Sequence, residues 1–70
     1  MIDEYDTIKV KIDLTDKIKV DTRGVVLSVY DNGNVLLVEF LDENHQTIGD
    51  GMTTVNLKDV ELVDKFDKWK

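Results

Sequence analysis

The sequence has no cysteine and no proline, one histidine and only five aromatic residues among its 70 positions. Without cysteine there is no disulfide, no thiolate metal site and no cysteine nucleophile. Basic residues are also few, because 9 Lys and Arg stand against 15 Asp and Glu, which gives a net charge of −6. Nucleic-acid backbones and anionic membranes need clustered Lys and Arg, so this deficit argues against direct binding to either.

Long apolar runs are missing as well. The longest apolar run covers residues 35–38, whereas a membrane-spanning helix needs about 20 residues. The chain begins with Asp3 and Glu4 close to its start, which is unlike the basic start of a signal peptide. We therefore predict a cytoplasmic protein with a single small domain.

Apolar residues recur at every second position over much of the chain. Residues 7–14 alternate strictly, which predicts a strand with one face in water. Residues 25–30 form a β-branched and aromatic strand after Gly24. Asn32-Gly33 then predicts a hairpin, because both residues tolerate positive φ. Residues 35–41 start with apolar residues on both faces, so we expect this strand to be central.

A second polar turn is expected at residues 42–45, and a joint with positive φ at Gly49 and Gly51. Strand character resumes at residues 52–57 and again at 61–63. This pattern predicts an all-β fold, a small SH3-like barrel of five to six short antiparallel strands. We place the barrel in residues 1–63 and a charged aromatic C-terminal tail in residues 64–70.

Catalytic and metal-binding chemistry has little support in the sequence. His45 is the one side chain that titrates near neutral pH, but no serine partner or metal-ligand spacing accompanies it. The adjacent carboxylates are typical of a solvated surface, since a barrel of this size has little room for a paired-carboxylate cleft. We therefore predict no enzyme activity, no catalytic residue, no metal and no cofactor. An activity that depends on His45 stays open as a minor alternative.

Four lysines cluster early in the chain, at Lys9, Lys11, Lys17 and Lys19. Lysine on the wet face of a first strand protects a sheet edge against pairing with another chain. The same group is also the only candidate for a basic face that contacts nucleic acid. The edge-protecting role is the preferred interpretation.

Aromatic and acidic residues are the better indication of function. Tyr30 lies beside the Asn-Gly hairpin and Trp69 close to the end of the chain, and aromatic residues are enriched as anchors in protein interfaces. Acidic side chains make charge-assisted hydrogen bonds to Lys and Arg of a partner. The predicted partner-binding residues are Tyr30, Asp31, Asp42, Glu43, Asp50 and Trp69.

Three segments together resemble a known family. They are residues 5–10, the strand Gly24–Tyr30 and the segment Val38-Glu39-Phe40-Leu41-Asp42 with Thr47 and Leu57 after it. The pattern resembles a bacterial domain-of-unknown-function family of small SH3-like proteins, and its Gly24-Val25-Val26 piece is shared with KOW barrels. Asn44-His45 departs from the glycine that relatives often have in this turn, and the tail has no counterpart.

The resemblance implies a non-catalytic barrel encoded beside toxin-like genes. We therefore expect an immunity protein or antitoxin that occludes a basic, toxin-like or nuclease-like partner. Two alternatives remain open. One is an acidic mimic of nucleic acid that inhibits a defence nuclease, as anti-CRISPR proteins do, and the other is a KOW-like accessory module on nucleic acid or ribosomes. We expect a monomer or weak homodimer.

Overall fold

The alternating segments form five antiparallel strands in a computed structural model that describes residues 2–66, with only the backbone for Asp50. The strands are β1 (Thr7–Val10), β2 (Arg23–Tyr30), β3 (Val35–Leu41), β4 (Thr47–Asn56) and β5 (Val60–Asp64). They lie in the order β4-β3-β2-β1-β5. Short 3₁₀ turns at Asp31–Gly33 and Leu57–Asp59 precede β3 and β5.

This arrangement is that of a small SH3-like barrel, and it confirms the predicted all-β fold class. The first four strands form a meander, and β5 returns to pair with β1 on the side that β2 leaves open. β2 pairs with both β1 and β3 through residues 23–25, and a bulge between Val26 and Ser28 bends the part of β2 that follows. Residues 2–66 contain no helix with the length and apolar character to cross a membrane.

The core lies on the concave face and takes residues from every strand. β3 is central, as its two apolar faces predicted, and its inward side chains Leu36, Val38 and Phe40 are fully buried. The remaining buried apolar residues are Ile8, Val10, Ile18, Val26, Val55 and Val60. Among the described residues, Ile18 is the one buried core residue from a loop, and the loop residue Leu14 packs against the core as well.

The first strand is shorter than its sequence pattern predicts. It ends at Val10 rather than at residue 14, and Ile12 is 44% exposed instead of buried. Side chains beyond Val10 bind backbone amides, because Asp13 Oδ1 accepts a hydrogen bond from Val20 N and Thr15 Oγ1 accepts one from Ile18 N. These local bonds compete with sheet pairing. Residues 11–22 therefore form a long loop.

The N-terminal and C-terminal segments meet at Asp6, the one buried charged residue of the described chain, at 1% exposure. Its Oδ2 accepts hydrogen bonds from Asp3 N at 2.8 Å and Lys65 Nζ at 2.7 Å. Its Oδ1 accepts one from Phe66 N at 2.8 Å. Lys65 and Phe66 belong to the predicted tail, so this tail begins as a bonded continuation of β5. Residues 67–70, which include Trp69, lie outside the described part.

The environment of Asp6 favours the ionised carboxylate. Burial alone raises the pKa of Asp6, but the hydrogen bonds from Lys65, Asp3 and Phe66 outweigh it, and the net pKa is lowered. A carboxyl with a lower pKa in the folded state stabilises the fold above its unfolded pKa. That contribution is lost as pH falls through the folded pKa.

We predict that Asp6→Asn lowers the free energy of unfolding at neutral pH by about 2–4 kcal/mol, since a buried acceptor of three hydrogen bonds loses its charge. Urea titrations from neutral pH down to acid conditions check this. The advantage of the wild type over the variant should start to shrink as pH falls below about 4 and should disappear only below the lowered pKa of Asp6. Asp3→Asn is the control, because this exposed partner of Lys65 should change stability by less than about 1 kcal/mol. Equal losses of stability in the two variants would contradict the stabilising role of the buried Asp6 carboxylate.

Gly24 allows the close approach of β2 to β3. A Cβ at this position would lie 2.5 Å from Val38 Cγ1 and 3.0 Å from Phe40 Cδ1. Because the core is tightly packed here, we predict that Gly24→Ala destabilises the protein by about 1–3 kcal/mol in chemical denaturation. Val38→Ala removes the nearest atom. The double variant should therefore lose less stability than the sum of the single variants, and simple additivity would contradict the steric explanation.

Candidate functional site

The predicted binding residues fall into two groups at opposite ends of β3. Tyr30 and Asp31 lie where β2 turns into β3, and Asp42 and Glu43 lie in the turn between β3 and β4. The seven residues of β3 separate the two groups by about 20 Å, at ~3.3 Å per residue. The structure therefore does not bring the predicted residues together in one site.

At the first end, Tyr30 lies on the side of β2 that faces away from the core. Its neighbour Val29 packs against the core, so the alternation of a strand directs Tyr30 to the outer face, where it pairs with Val35 and is 51% exposed. Asp31 begins the 3₁₀ turn with a φ of 51°. Asn32 and Gly33 also have positive φ, as the Asn-Gly signal predicted. An exposed tyrosine beside a carboxylate makes this a small patch.

The second end carries more of the features of a binding surface. Two open grooves of about 580 and 590 Å³ flank the β3–β4 turn and share Arg23, Leu41, Asp42 and Glu43. Leu41 lies between them, with Val25 and Val63 in one groove and Val20 and Ile48 in the other. We define the acidic turn surface by the charged residues of the two grooves, which are Asp21, Arg23, Asp42, Glu43 and Asp64.

The acidic turn surface has an excess of negative charge. Lys9 offsets Asp21 at 3.6 Å and Glu61 at 3.5 Å from its Nζ. Within residues 2–66, Glu43 and Asp64 make no ion pair, and neither does Arg23. The surface therefore presents unneutralised carboxylates above apolar walls.

The turn itself is held together by Asp42. Asp42 Oδ1 accepts hydrogen bonds from Asn44 N at 2.8 Å and Gln46 N at 2.9 Å, and Asp42 N donates to Gln46 O. Sequence reasoning assigned Asp42 to partner binding alone, whereas one of its carboxylate oxygens stabilises the turn. Glu43 has no such bond and projects from an exposed position. Glu43 is therefore the cleaner candidate for partner contact.

The structure places His45 in a turn and Asp50 in a strand. His45 is an exposed turn residue with a φ of 62°, in the left-handed region that favours glycine. Among residues 2–66, no three His, Asp or Glu side chains are close enough to hold a metal ion. Asp50 lies in β4 between Gly49 and Gly51, whose φ values of 69° and 105° agree with the predicted joint. Four residues of β4 bulge out there between Thr47 and Met52.

The early lysines do not form an uncompensated basic surface. Lys9 contacts two carboxylates, and the 11–22 loop carries three lysines interspersed with three acids. These acids are Asp13, Asp16 and Asp21. Because opposite charges are interleaved at short spacing, the loop lacks the concentrated positive potential that a phosphate backbone requires.

Sequence reasoning missed three members of the acidic turn surface, the loop residue Asp21 and the strand residues Arg23 and Asp64. Arg23 starts β2 and Asp64 ends β5, and the strand register brings both to the β3–β4 turn: Arg23 pairs with Leu41, and Asp64 pairs with Thr7 next to Val25. Only the pairing of strands that are distant in sequence reveals this proximity. No local motif could have found it.

We predict that Asp42→Ala and Glu43→Ala differ in stability although both remove one negative charge from the same turn. Asp42→Ala should lower the free energy of unfolding by about 1–2 kcal/mol, because two backbone amides lose their acceptor. Glu43→Ala should stay within about 0.5 kcal/mol of the wild type. Thermal and urea unfolding at equal ionic strength measure both. A large loss for Glu43→Ala would show that its side chain supports the fold.

The chain matches no protein-family model, no curated protein and no solved structure. The resemblance to the small SH3-like family therefore stays a prediction, and the function has to be argued from the acidic turn surface itself.

Proposed function

We propose that this protein is a non-catalytic binding module whose acidic turn surface occludes a basic partner protein, in the manner of an immunity protein or antitoxin. One observation carries the proposal. Glu43 and Asp64 lie on grooves with apolar walls and have no ion-pair partner among the described residues. The apolar part of this surface is unfavourable while it is exposed to water. A partner that covers the surface therefore gains both the burial of apolar area and the pairing of charges.

Lysine and arginine side chains fit this combination. Their aliphatic stems cover apolar surface while the cationic head reaches carboxylates at the rim. Leu41, Val25 and Val63 would contact such stems, and Glu43 and Asp64 would accept hydrogen bonds from the heads. The net charge of −6 adds long-range attraction, which accelerates encounter with a basic protein.

The same chemistry suits inhibition by mimicry of nucleic acid, because proteins that bind nucleic acid also present basic sites. Direct binding of nucleic acid by this chain is less favoured, since its early lysines are interspersed with acids or contact them. Affinity capture distinguishes these functions by the kind of molecule that the protein retains.

Affinity capture from a lysate of the source cells tests the proposal, with the wild type, Glu43→Lys and Asp16→Lys compared at equal loading. Asp16 is exposed in the 11–22 loop, so its variant matches the change in charge without touching the grooves. We expect the wild type and Asp16→Lys to retain one basic protein in near-stoichiometric amount. Glu43→Lys should reduce its affinity at least about 10-fold, because a carboxylate contact becomes repulsive.

Recovery of RNA or ribosomal proteins would replace the proposal with the KOW-like alternative. Equal capture by Glu43→Lys and the wild type would remove the acidic turn surface as the binding site. A captured protein with a basic nucleic-acid site, inhibited in cleavage assays by the wild type, would identify the mimicry form of the same function.

A further inference from the structure

The last strand of the sheet has a neighbour on one side only. Among residues 2–66, β5 pairs with β1 and with no other strand. An edge strand offers unpaired N–H and C=O groups to another chain, so an extended segment of a partner can be added to it. The chemistry of this edge depends on which of its backbone groups are free and on the side chains beside them.

The hydrogen bonds of β1 identify the free backbone groups of β5. Lys11 N donates to Asp59 O at 2.8 Å. Two residues further along each strand, the same register pairs Lys9 with Glu61. Hydrogen-bonded pairs alternate along an antiparallel ladder, so the N–H and C=O of Glu61 face β1, and those of Leu62 point away from it. The backbone of Leu62 is therefore the free donor and acceptor at the centre of the edge.

Charge favours a basic occupant at this edge. Glu61 and Asp64 are exposed acids, and the strand contains no basic residue. Lys9 contacts Glu61 at 3.5 Å from its Nζ but also contacts Asp21, so one cation serves two acids. Asp64 makes no ion pair within the described chain. A second copy of β5 would bring four carboxylates together without a cation between them, which disfavours self-pairing.

An exposed apolar side chain lies at the same edge. Leu62 is 37% exposed, although its partner across the ladder is the fully buried Ile8. Paired residues lie on the same face of a sheet, so Leu62 belongs to the core-facing side, and no strand of the described chain lies beyond it. An apolar side chain opposite Leu62 would extend the core face and remove this area from water.

The outer face of β5 leads into a groove of the acidic turn surface. Thr7 pairs with both Val25 and Asp64, so these three residues share the outer face of the sheet. All three line the same groove, together with Glu43. A basic side chain on the outer face of an added strand, next to Asp64, would therefore lie at the margin of the groove proposed for partner binding.

We propose that the basic partner binds by adding an extended segment to the free edge of β5, a contact that rests on the proposed function. The segment alternates basic and apolar side chains. An apolar residue lies opposite Leu62 and exchanges two backbone hydrogen bonds with it. The basic residues on either side of it face outward, one opposite Glu61 and the other beside Asp64. Backbone pairing supplies the affinity of this contact, and the alternation supplies its specificity.

A synthetic peptide tests the pairing directly. The probe is a capped peptide of about seven residues, the length of a typical strand, in which arginine and valine alternate. Amide hydrogen exchange is followed by NMR with and without saturating peptide. The Leu62 amide should exchange at least about 10-fold more slowly in the complex, because it gains an acceptor. The Glu61 amide, which already faces β1, should change far less. Strong protection of Leu62 in the free protein would overturn the proposal.

Two modified peptides of the same charge separate strand pairing from general attraction. N-methylation of the valines removes the N–H groups that would face Leu62, and it should raise the dissociation constant at least about 10-fold. N-methylation of the arginines is the matched control, because their N–H groups point away from β5 in the proposed register. Equal affinity of the two modified peptides overturns strand addition.

Charge reversal tests the position of the peptide on the protein. Glu61→Lys should weaken binding of the unmodified peptide at least about five-fold, because a cross-strand attraction becomes a repulsion. Asp16→Lys makes the same change of charge in the exposed 11–22 loop and should stay within about two-fold of the wild type. Urea unfolding confirms that each variant folds. Equal losses of affinity would attribute binding to net charge and overturn the assignment to β5.

Failure of strand addition and failure of the proposed function give different results. A peptide that leaves the exchange of Leu62 unchanged overturns strand addition, while capture of a basic protein through Glu43 can still succeed. A captured basic protein whose complex does not protect Leu62 also overturns strand addition alone. Absence of a basic protein from the capture experiment contradicts the proposed function, whereas protection of Leu62 by the peptide still supports an edge that accepts basic segments.

Discussion

The buried carboxylate of Asp6 joins the two ends of the chain, and the closed part of the barrel depends on it. Three hydrogen-bond donors converge on it, two of them from residues 65 and 66, which follow β5. Burial of a charge is unfavourable unless it is paired and hydrogen-bonded, and here every bond also orders a chain segment. Tyr5 and Phe66 pack edge to face beside it, with ring centroids 5.5 Å apart. Together these contacts keep β5 against β1 at the end of the described chain.

The pairing of β5 with β1 decides which residues share a surface. With β5 attached to β1, the acid Asp64 reaches the β3–β4 turn and joins Glu43 around the apolar walls of the groove. β4 forms the other edge of the sheet, on the far side of β3.

Several charged side chains that look functional in the sequence stabilise the fold instead. Asp42 supports its turn through two backbone amides, so charge reversal at Asp42 would confuse folding with binding. Lys9 connects the loop residue Asp21 and the β5 residue Glu61 across the outer face. Glu39 accepts a hydrogen bond from Thr47 at 2.6 Å and thereby fixes the start of β4. Glu43 has no such bond, and it is the residue that we propose for contact with a partner.

The sequence by itself determined the strands of this protein, the central position of β3 and the two hairpin turns, because alternation and positive-φ residues act over a few neighbouring positions. It predicted neither the early end of β1, where side chains of the loop bind backbone amides, nor the buried Asp6, whose partners lie up to 60 residues away. It also placed Tyr30 and Asp42 in one site, although β3 separates them. Which residues share a surface was decided only by the tertiary structure, since strand order and register bring together positions that no local pattern relates.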